Sequence, residues 1–431
     1  MKNKKHKKLK KNNLIKHLER SKYFCMAPWI SLYIDPTSKI LPCCLCPINE
    51  ESILGDIQKH KIKKIWNSKP LRKLRMNMLR DKPSKICDIC YIFESNSIPS
   101  VRETMNYEFL KRYSYEVLNT RKNGGVKEIN LKYIDIRFSN KCNYKCRTCN
   151  PQFSTSWYKD SIKLNYSNNH LNELKLPSQS KKLWKQINKI MHQVDKLYFA
   201  GGEPLIIDEH FLILENLINI NRTDVKLFYN TNLSTLNYKE NKLLYLWNKF
   251  KNVSIGASLD GMEKRGELIR KGQNWKGIEK NISLLKKECP NIHFYISPTI
   301  SIMNVLHLPD FHKFMIEKGY IKPNYIFMNI LIEPEEFNIQ ILPKNLKDKI
   351  KEKYDFFINN YILTKNWSEE IKQDLITKYR GIVEFLFKKH NTELIPNFLE
   401  LTNKLDKIRN ENFFQIFPEL HEIQQNSFGS D

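Results

Sequence analysis

Ten cysteines stand in this 431-residue chain, at positions 25, 43, 44, 46, 87, 90, 142, 146, 149 and 289. The stretch Ser139-Asn140-Lys141-Cys142-Asn143-Tyr144-Lys145-Cys146-Arg147-Thr148-Cys149 spaces three of them as C-x3-C-x2-C. A loop of that length can wrap three thiolates round one metal centre, and thiolates are the soft ligands that iron–sulfur clusters require. A [4Fe–4S] cluster has four irons, so three protein ligands leave one iron open. An open iron can chelate a small molecule and pass it an electron, just as an open position separates catalytic from structural zinc. A zinc site or three unrelated thiols are the other readings of this spacing.

A second set lies upstream. Phe24-Cys25-Met26-Ala27-Pro28-Trp29 precedes a predicted hairpin that ends in Leu41-Pro42-Cys43-Cys44, and Cys87-Asp88-Ile89-Cys90 follows about forty residues later. Cys25, Cys43, Cys87 and Cys90 come from separate pieces of chain and suggest a closed four-thiolate site; structural zinc and no metal at all are the alternatives. Either Cys44 or Cys46 could stand in for Cys43. Glu94 and Arg102 lie just beyond and are expected to pair with each other or to face a substrate. Cys289, late in a helical segment, reads as packing.

The elements that must carry these residues follow from pattern. Trp29–Pro36 reads as a strand and turn, with its hairpin partner at Lys39–Cys44. Residues 57–80 read as helix broken near Pro70, with Ile57, Ile62, Ile65 and Trp66 on one side. Between 129 and about 332, six short β-rich runs (YIDIRFSN, KLYFAGG, VKLFYNTN, NVSIGASLD, HFYISPTISI, YIFMNILI) alternate with helical segments such as HFLILENLINI and NWKGIEKNISLLKK. Such alternation predicts parallel βα units, a sheet covered by helices and a site at the C-terminal strand ends. The expected organisation is a basic arm over 1–22, a cysteine-rich module over 23–105, a connector over 106–128 ending at Asn123-Gly124-Gly125, a βα core over 129–335 and a helical extension over 336–431. Phe356, Phe357, Tyr361 and Tyr379 are expected in the core of that extension, and the final IQQNSFGSD is expected to fray.

Bulk properties narrow the class. Lys plus Arg number 72 against 46 acidic residues, a net charge of +26. The positive charge is spread along the chain without an arginine-rich stripe. Nucleic acid is therefore not the expected partner, although an anionic substrate such as RNA stays open. No apolar run is long enough to span a membrane, and the basic N-terminus lacks the apolar stretch of a secretory signal. A cytoplasmic location is expected, where clustered cysteines bind metal or react rather than form disulfides.

The triad, placed directly after the strand YIDIRF, resembles the signature of radical S-adenosylmethionine (radical SAM) enzymes. That resemblance implies a partial (β/α)6 TIM-like barrel, preceded by a small α+β iron–sulfur module and followed by the helical extension. Further strand ends match in order. Ala200-Gly201-Gly202-Glu203-Pro204 is similar to the GGEP motif, in which backbone and carboxylate hold the SAM methionine ammonium. Asn230-Thr231-Asn232 is similar to the polar end of the third strand. Ser258 and the later Arg270 match residues that contact the SAM ribose and carboxylate, and Pro298 could border the adenine. Thr148 departs from the aromatic residue usual before the third cysteine, which weakens the expected packing near the adenine.

The upstream module resembles the SPASM/twitch domain that carries an auxiliary [4Fe–4S] cluster. Ser38 stands at that pattern's glycine position, and the module precedes the barrel, as in a subset of twitch-containing radical SAM proteins. The implied cofactors are a SAM-binding [4Fe–4S] cluster, SAM and the auxiliary cluster, with a reducing partner such as ferredoxin or flavodoxin. The implied activity is reductive cleavage of SAM to a 5′-deoxyadenosyl radical that abstracts hydrogen from a substrate, expected to be a peptide or protein side chain. Modification of RNA or another anionic substrate is the second expectation, and a non-catalytic electron carrier the third.

Overall fold

The computed structural model describes residues 13–95, 98–166, 172–177 and 180–426. Most of the basic arm expected over 1–22 and the last residues of the frayed tail lie outside them. The chain divides into two compact units: residues 1–139, 174–200 and 208–227 in the first, and 140–173, 201–207 and 228–431 in the second.

In the first unit, strand β1 (Ser31–Ile34) pairs antiparallel with β2 (Lys39–Leu41), Tyr33 opposite Leu41, and β2 pairs antiparallel with β3 (Gly55–Asp56). The β1–β2 turn is built by Asp35, whose carboxylate accepts from the backbone N–H groups of Thr37 and Lys39 at 2.9 and 2.8 Å. Ser38 is thereby held at φ 71°, in the left-handed region that favours glycine. On its other edge β1 runs parallel to β4 (Tyr133–Ile136), and β4 runs parallel to β5 (Lys196–Phe199). β4 is buried at all four residues, as a strand covered on both faces should be.

Helices Ile62–Trp66 and Lys69–Leu79 meet at the predicted break near Pro70, and Ile57, Ile62, Ile65 and Trp66 are all buried. The stretch read as a connector is largely helical, Val101–Leu118, with a kink at Tyr113. It opens with a capping box in which Ser100 and Glu103 satisfy each other's backbone N–H groups at 3.0 Å.

β6 (Lys226–Thr231) begins in the first unit and ends in the second. Within the second unit, hairpin strands β7 (Asn237–Tyr238) and β8 (Asn241–Lys242) pair antiparallel. β9 (Val253–Ala257) pairs parallel with β10 (His293–Ile296), and β11 (Thr299–Ile300) with β12 (Asn329–Ile330). Helices Asp208–Asn219, Glu263–Ile269, Trp275–Glu288 and Leu308–Glu317 separate these strands in the chain. Six β-strands at the predicted positions, alternating with helices, give the α/β class and strand succession of a partial (β/α)6 barrel.

Beyond it, the extension folds as helices Lys344–Phe357, Glu369–Lys388 and Ile395–Arg409. Tyr379 is fully buried, and its hydroxyl meets His312 Nδ1 at 3.0 Å, while Tyr354 donates to the Val305 carbonyl at 2.7 Å. Phe357 and Tyr361 are buried as expected, but Phe356 is 68% exposed: it falls on the solvent side of a helix whose inner stripe is Leu346, Ile350, Tyr354 and Phe357. Among the described residues, no helix is long and apolar enough to cross a membrane.

Candidate active site and cysteine-rich module

The C-x3-C-x2-C loop belongs to the second unit, and neighbours tie down its first two ligand candidates. Thr155 and Ser156 contact the Cys142 backbone, Ser156 Oγ donating to its carbonyl at 2.7 Å. Trp157 Nε1 donates to the Cys146 carbonyl at 2.9 Å. Lys145 N–H and Arg147 N–H, on either side of Cys146, donate to the carbonyls of Lys271 and Ile269 at 2.9 and 2.8 Å.

The three thiols sense one another: Cys142 and Cys149 are each raised by Cys146, after the larger effect of burial. Burial pushes Cys142 up to about 12 and raises Cys146 and Cys149 as well. Thiols so placed hold their protons unless a cation compensates the buried negative charge. An iron cluster does that, and its binding releases the protons. The donor set therefore fits a cluster.

The GGEP turn lies against this loop. Gly202 adopts φ 48°, and a Cβ there would fall 2.2 Å from the Lys141 carbonyl, so only glycine permits the approach. Glu203 N–H donates to that same carbonyl at 2.8 Å. The Glu203 side chain is 1% exposed. Its Oε1 accepts from Thr231 Oγ1 at 2.6 Å and from Leu205 N–H at 3.1 Å, and its Oε2 accepts from Asn232 N–H at 2.6 Å. Burial pushes this carboxyl up to about 7, and the three donors only partly offset it. A cationic ligand at Glu203 would favour its ionised form.

Asn232 Nδ2 donates to Asn143 Oδ1 at 2.9 Å, joining the β6 end to the cysteine loop. Arg270 Nη1 lies 3.9 Å from Cys146 Sγ, and its Nε and Nη2 grip the Asp260 carboxylate at 2.7 and 3.0 Å. Ser258, half-buried, donates its N–H to the Thr231 carbonyl at 2.7 Å. Pro298 accepts from Asn329 N–H at 3.0 Å, between β10 and β11. The second unit thus gathers Cys142, Cys146, Cys149, Gly201, Gly202, Glu203, Pro204, Asn232, Ser258 and Arg270. Sequence reasoning passed over Asp260, which aims Arg270, and Asn143, which links the loop to Asn232. Their only signal was position, inside motifs already singled out for other residues.

The upstream cysteines form a separate group in the first unit. Cys25, Cys43, Cys87 and Cys90 line one small pocket together with Leu45, Ile86, Ile89, Val101 and Arg102. Burial raises Cys25 and Cys87 and pushes Cys90 up to about 11, and each is raised further by Cys43. Cys46 approaches Cys43 with a sulfur–sulfur distance of 3.6 Å. That hydrogen bond lowers Cys43 below the ordinary thiol value despite burial, and raises Cys46. Cys44 does not line the pocket; after burial, its surroundings are set chiefly by Asp135 and Arg137.

Glu94 and Arg102 do pair, through bonds of 2.8 and 2.6 Å, and Arg102 also donates to the Phe24 carbonyl at 2.9 Å, beside Cys25. Cys289 is buried, with its thiol 3.5 Å from the Leu244 carbonyl. Among the described residues, no three His, Cys, Asp or Glu side chains converge as they would round a single ion. A cluster takes one thiolate per iron and spaces its ligands more widely.

Two family descriptions match the chain: SPASM, an iron–sulfur cluster-binding domain, over residues 25–91, and the radical SAM superfamily over residues 136–315. No curated protein sequence matches it. Among solved structures, native anSMEcpe with bound AdoMet is 17% identical, covering 53% of this chain and 62% of that one, with a TM-score of 0.38. The same protein with AdoMet and the Kp18Cys peptide is 16% identical over 54% of this chain and 61% of that one, at 0.39. Streptococcus suis SuiB bound to S-adenosylmethionine is 14% identical over 67% of this chain and 63% of that one, also at 0.39. The chain thus spans a little over three fifths of the length of these structures.

Proposed function

Since the chain belongs to the radical SAM superfamily and carries a SPASM-type iron–sulfur domain ahead of its core, we propose that it binds SAM at the triad and uses the resulting radical to modify a peptide or protein side chain. The observation that carries this reading is the gathering, inside one unit, of three half-buried thiols with Glu203, Asn232 and Arg270 around them. The superfamily's cofactors are a [4Fe–4S] cluster and SAM, and the SPASM domain implies an auxiliary iron–sulfur cluster.

Cys142, Cys146 and Cys149 would hold the SAM-binding cluster, whose bound form supplies the electron that cleaves SAM to methionine and a 5′-deoxyadenosyl radical. Glu203 and the Gly201–Gly202 backbone receive the SAM ammonium. Arg270, aimed by Asp260, offers its remaining donors to the carboxylate, where a planar fork outperforms an ammonium. Ser258 and Asn232 supply polar contacts to the ribose side, and Pro204 sets the turn behind Glu203. Cys25, Cys43, Cys87 and Cys90 would hold the auxiliary cluster, and Cys46 is the nearest substitute for Cys43. Ferredoxin- or flavodoxin-type proteins are the reductants that suit such a site, and the cytoplasm is the compartment that keeps these thiols reduced.

A peptide substrate is supported by the SPASM-type domain. The net charge of +26 supports a second reading, an anionic substrate such as RNA; its binding would weaken steeply with added salt, whereas a neutral peptide's would not. The test is anaerobic reconstitution followed by reductant and SAM. Deoxyadenosine from wild type and none from a Cys142/Cys146/Cys149→Ala variant is the expected result. Equal yields from both would sink the assignment.

A further inference from the structure

The second unit buries an ion network that SAM binding does not require. Arg147, in the triad loop between Cys146 and Cys149, has a side chain with no exposed surface, and its Nη2 donates to Asp406 and, at 2.7 Å, to Glu411. Its guanidinium also lies 5.4 Å from the centre of the Phe413 ring. Lys145, on the other side of Cys146, pairs with Asp160 at 2.9 Å, and Asp160 in turn pairs with the fully buried Arg409 at 2.8 Å. Arg409 stacks 4.6 Å over Trp157, the residue whose indole N–H holds the Cys146 carbonyl. Lys271, whose carbonyl receives the Lys145 N–H, pairs with Glu411 at 2.8 Å.

Asp406, Arg409 and Glu411 all come from the end of helix Ile395–Arg409 and the turn after it. There Asn410 adopts a left-handed φ of 53°, and Asp406 caps the chain by accepting from Phe413 N–H at 2.7 Å. Both charged residues that flank Cys146 are therefore anchored, directly or through Asp160, to the C-terminal extension.

Burying ion pairs is a poor way to add stability, because desolvation consumes most of the attraction; their best-attested use is to fix one register among several. Here the register fixed is that of the triad loop. We propose that the C-terminal extension is a clamp on this loop, with Arg147, Asp406, Arg409 and Glu411 as positioning residues that set both the seat and the charge environment of the SAM-binding cluster. The inference rests on the reading that the triad holds that cluster.

The test uses the full-length, reconstituted protein with Glu411→Gln, which keeps the shape of the residue replaced, and Arg409→Gln, which is shorter but still polar; each removes one charge, of opposite sign. A redox titration followed by electron paramagnetic resonance reads the cluster itself. Reduction adds an electron, which nearby positive charge stabilises. Glu411→Gln should shift the SAM-binding cluster to higher potential and Arg409→Gln to lower, while the signal of the N-terminal module stays put. Deoxyadenosine formation at saturating SAM should fall more than the affinity for SAM. Potentials unchanged in both variants, or shifted in the same direction, would overturn the clamp's charge role. Loss of iron from both would reduce the network to scaffolding and also overturn it. Failure of the underlying reading would look different: a Cys142/Cys146/Cys149→Ala variant that keeps all its iron.

Discussion

The triad loop and the N-terminal module present the same donor atom in opposite settings. The triad presents three thiols on one eight-residue stretch, bracketed by Lys145, Arg147 and Trp157 and bordered by Glu203 and Arg270. The module draws Cys25, Cys43 and the Cys87–Cys90 pair from three segments into one pocket closed by Ile86, Ile89, Val101 and Arg102. Three ligands with charged groups alongside suit a centre that must accept a small molecule, whereas four ligands behind an apolar wall suit one that must not. On the proposed reading, the number of thiols and the polarity of the wall, not the presence of cysteine, separate the reactive site from the auxiliary one.

That contrast can be broken most severely at the triad. Any single alanine at Cys142, Cys146 or Cys149 should abolish deoxyadenosine formation while the module keeps its iron. In the module, Cys25→Ala, Cys87→Ala or Cys90→Ala should remove about four irons per chain, one cluster's worth. Cys44→Ala should leave that iron in place, because Cys44 lies off the pocket. Iron analysis of the purified variants decides this, and iron lost on Cys44→Ala would mean that the pocket has been drawn with the wrong cysteine.

A smaller effect is expected at Glu203, whose carboxyl is pushed up to about 7, chiefly by burial. The SAM ammonium requires the ionised form, so affinity for SAM should decline as pH falls through about 7 and level off above it. Glu203→Gln should bind SAM weakly at every pH and remove the inflection. Isothermal titration across the range would show it, and an unchanged inflection in the variant would assign the titration to another group.

Next comes Asp260→Asn, which loosens the grip on Arg270. It should weaken SAM binding by about 1.5–3 kcal/mol, the worth of a charged hydrogen bond. The smallest effect is Trp157→Phe, which leaves the Cys146 carbonyl without its indole donor and should lower stability by about 1 kcal/mol in denaturant unfolding.

Legibility in the sequence followed how local each feature is. The triad, the GGEP turn and the β6 end could be read because each sits on a short stretch with its own spacing, and the structure places them within one unit. The βα succession was legible from its alternating periodicity. The N-terminal ligand set was only partly legible. Cys43, Cys44 and Cys46 are almost consecutive, and which of them faces Cys25, Cys87 and Cys90 depends on the turn after β2. Asp406 and Glu411 were invisible because they meet Arg147 across some 260 residues of chain, and no local pattern announces a contact at that range. Phe356 was misjudged by one helical position: composition marks the helix as aromatic, but only packing shows which side of it faces out.

The most direct test of the central claim is the effect of SAM on the reduced protein's electron paramagnetic resonance spectrum. Two cluster signals should appear in wild type. SAM should change the one that vanishes in the Cys142/Cys146/Cys149→Ala variant and leave untouched the one that vanishes in the Cys25/Cys43/Cys87/Cys90→Ala variant. If SAM perturbs the N-terminal signal instead, or neither, the open three-ligand site has been put in the wrong place.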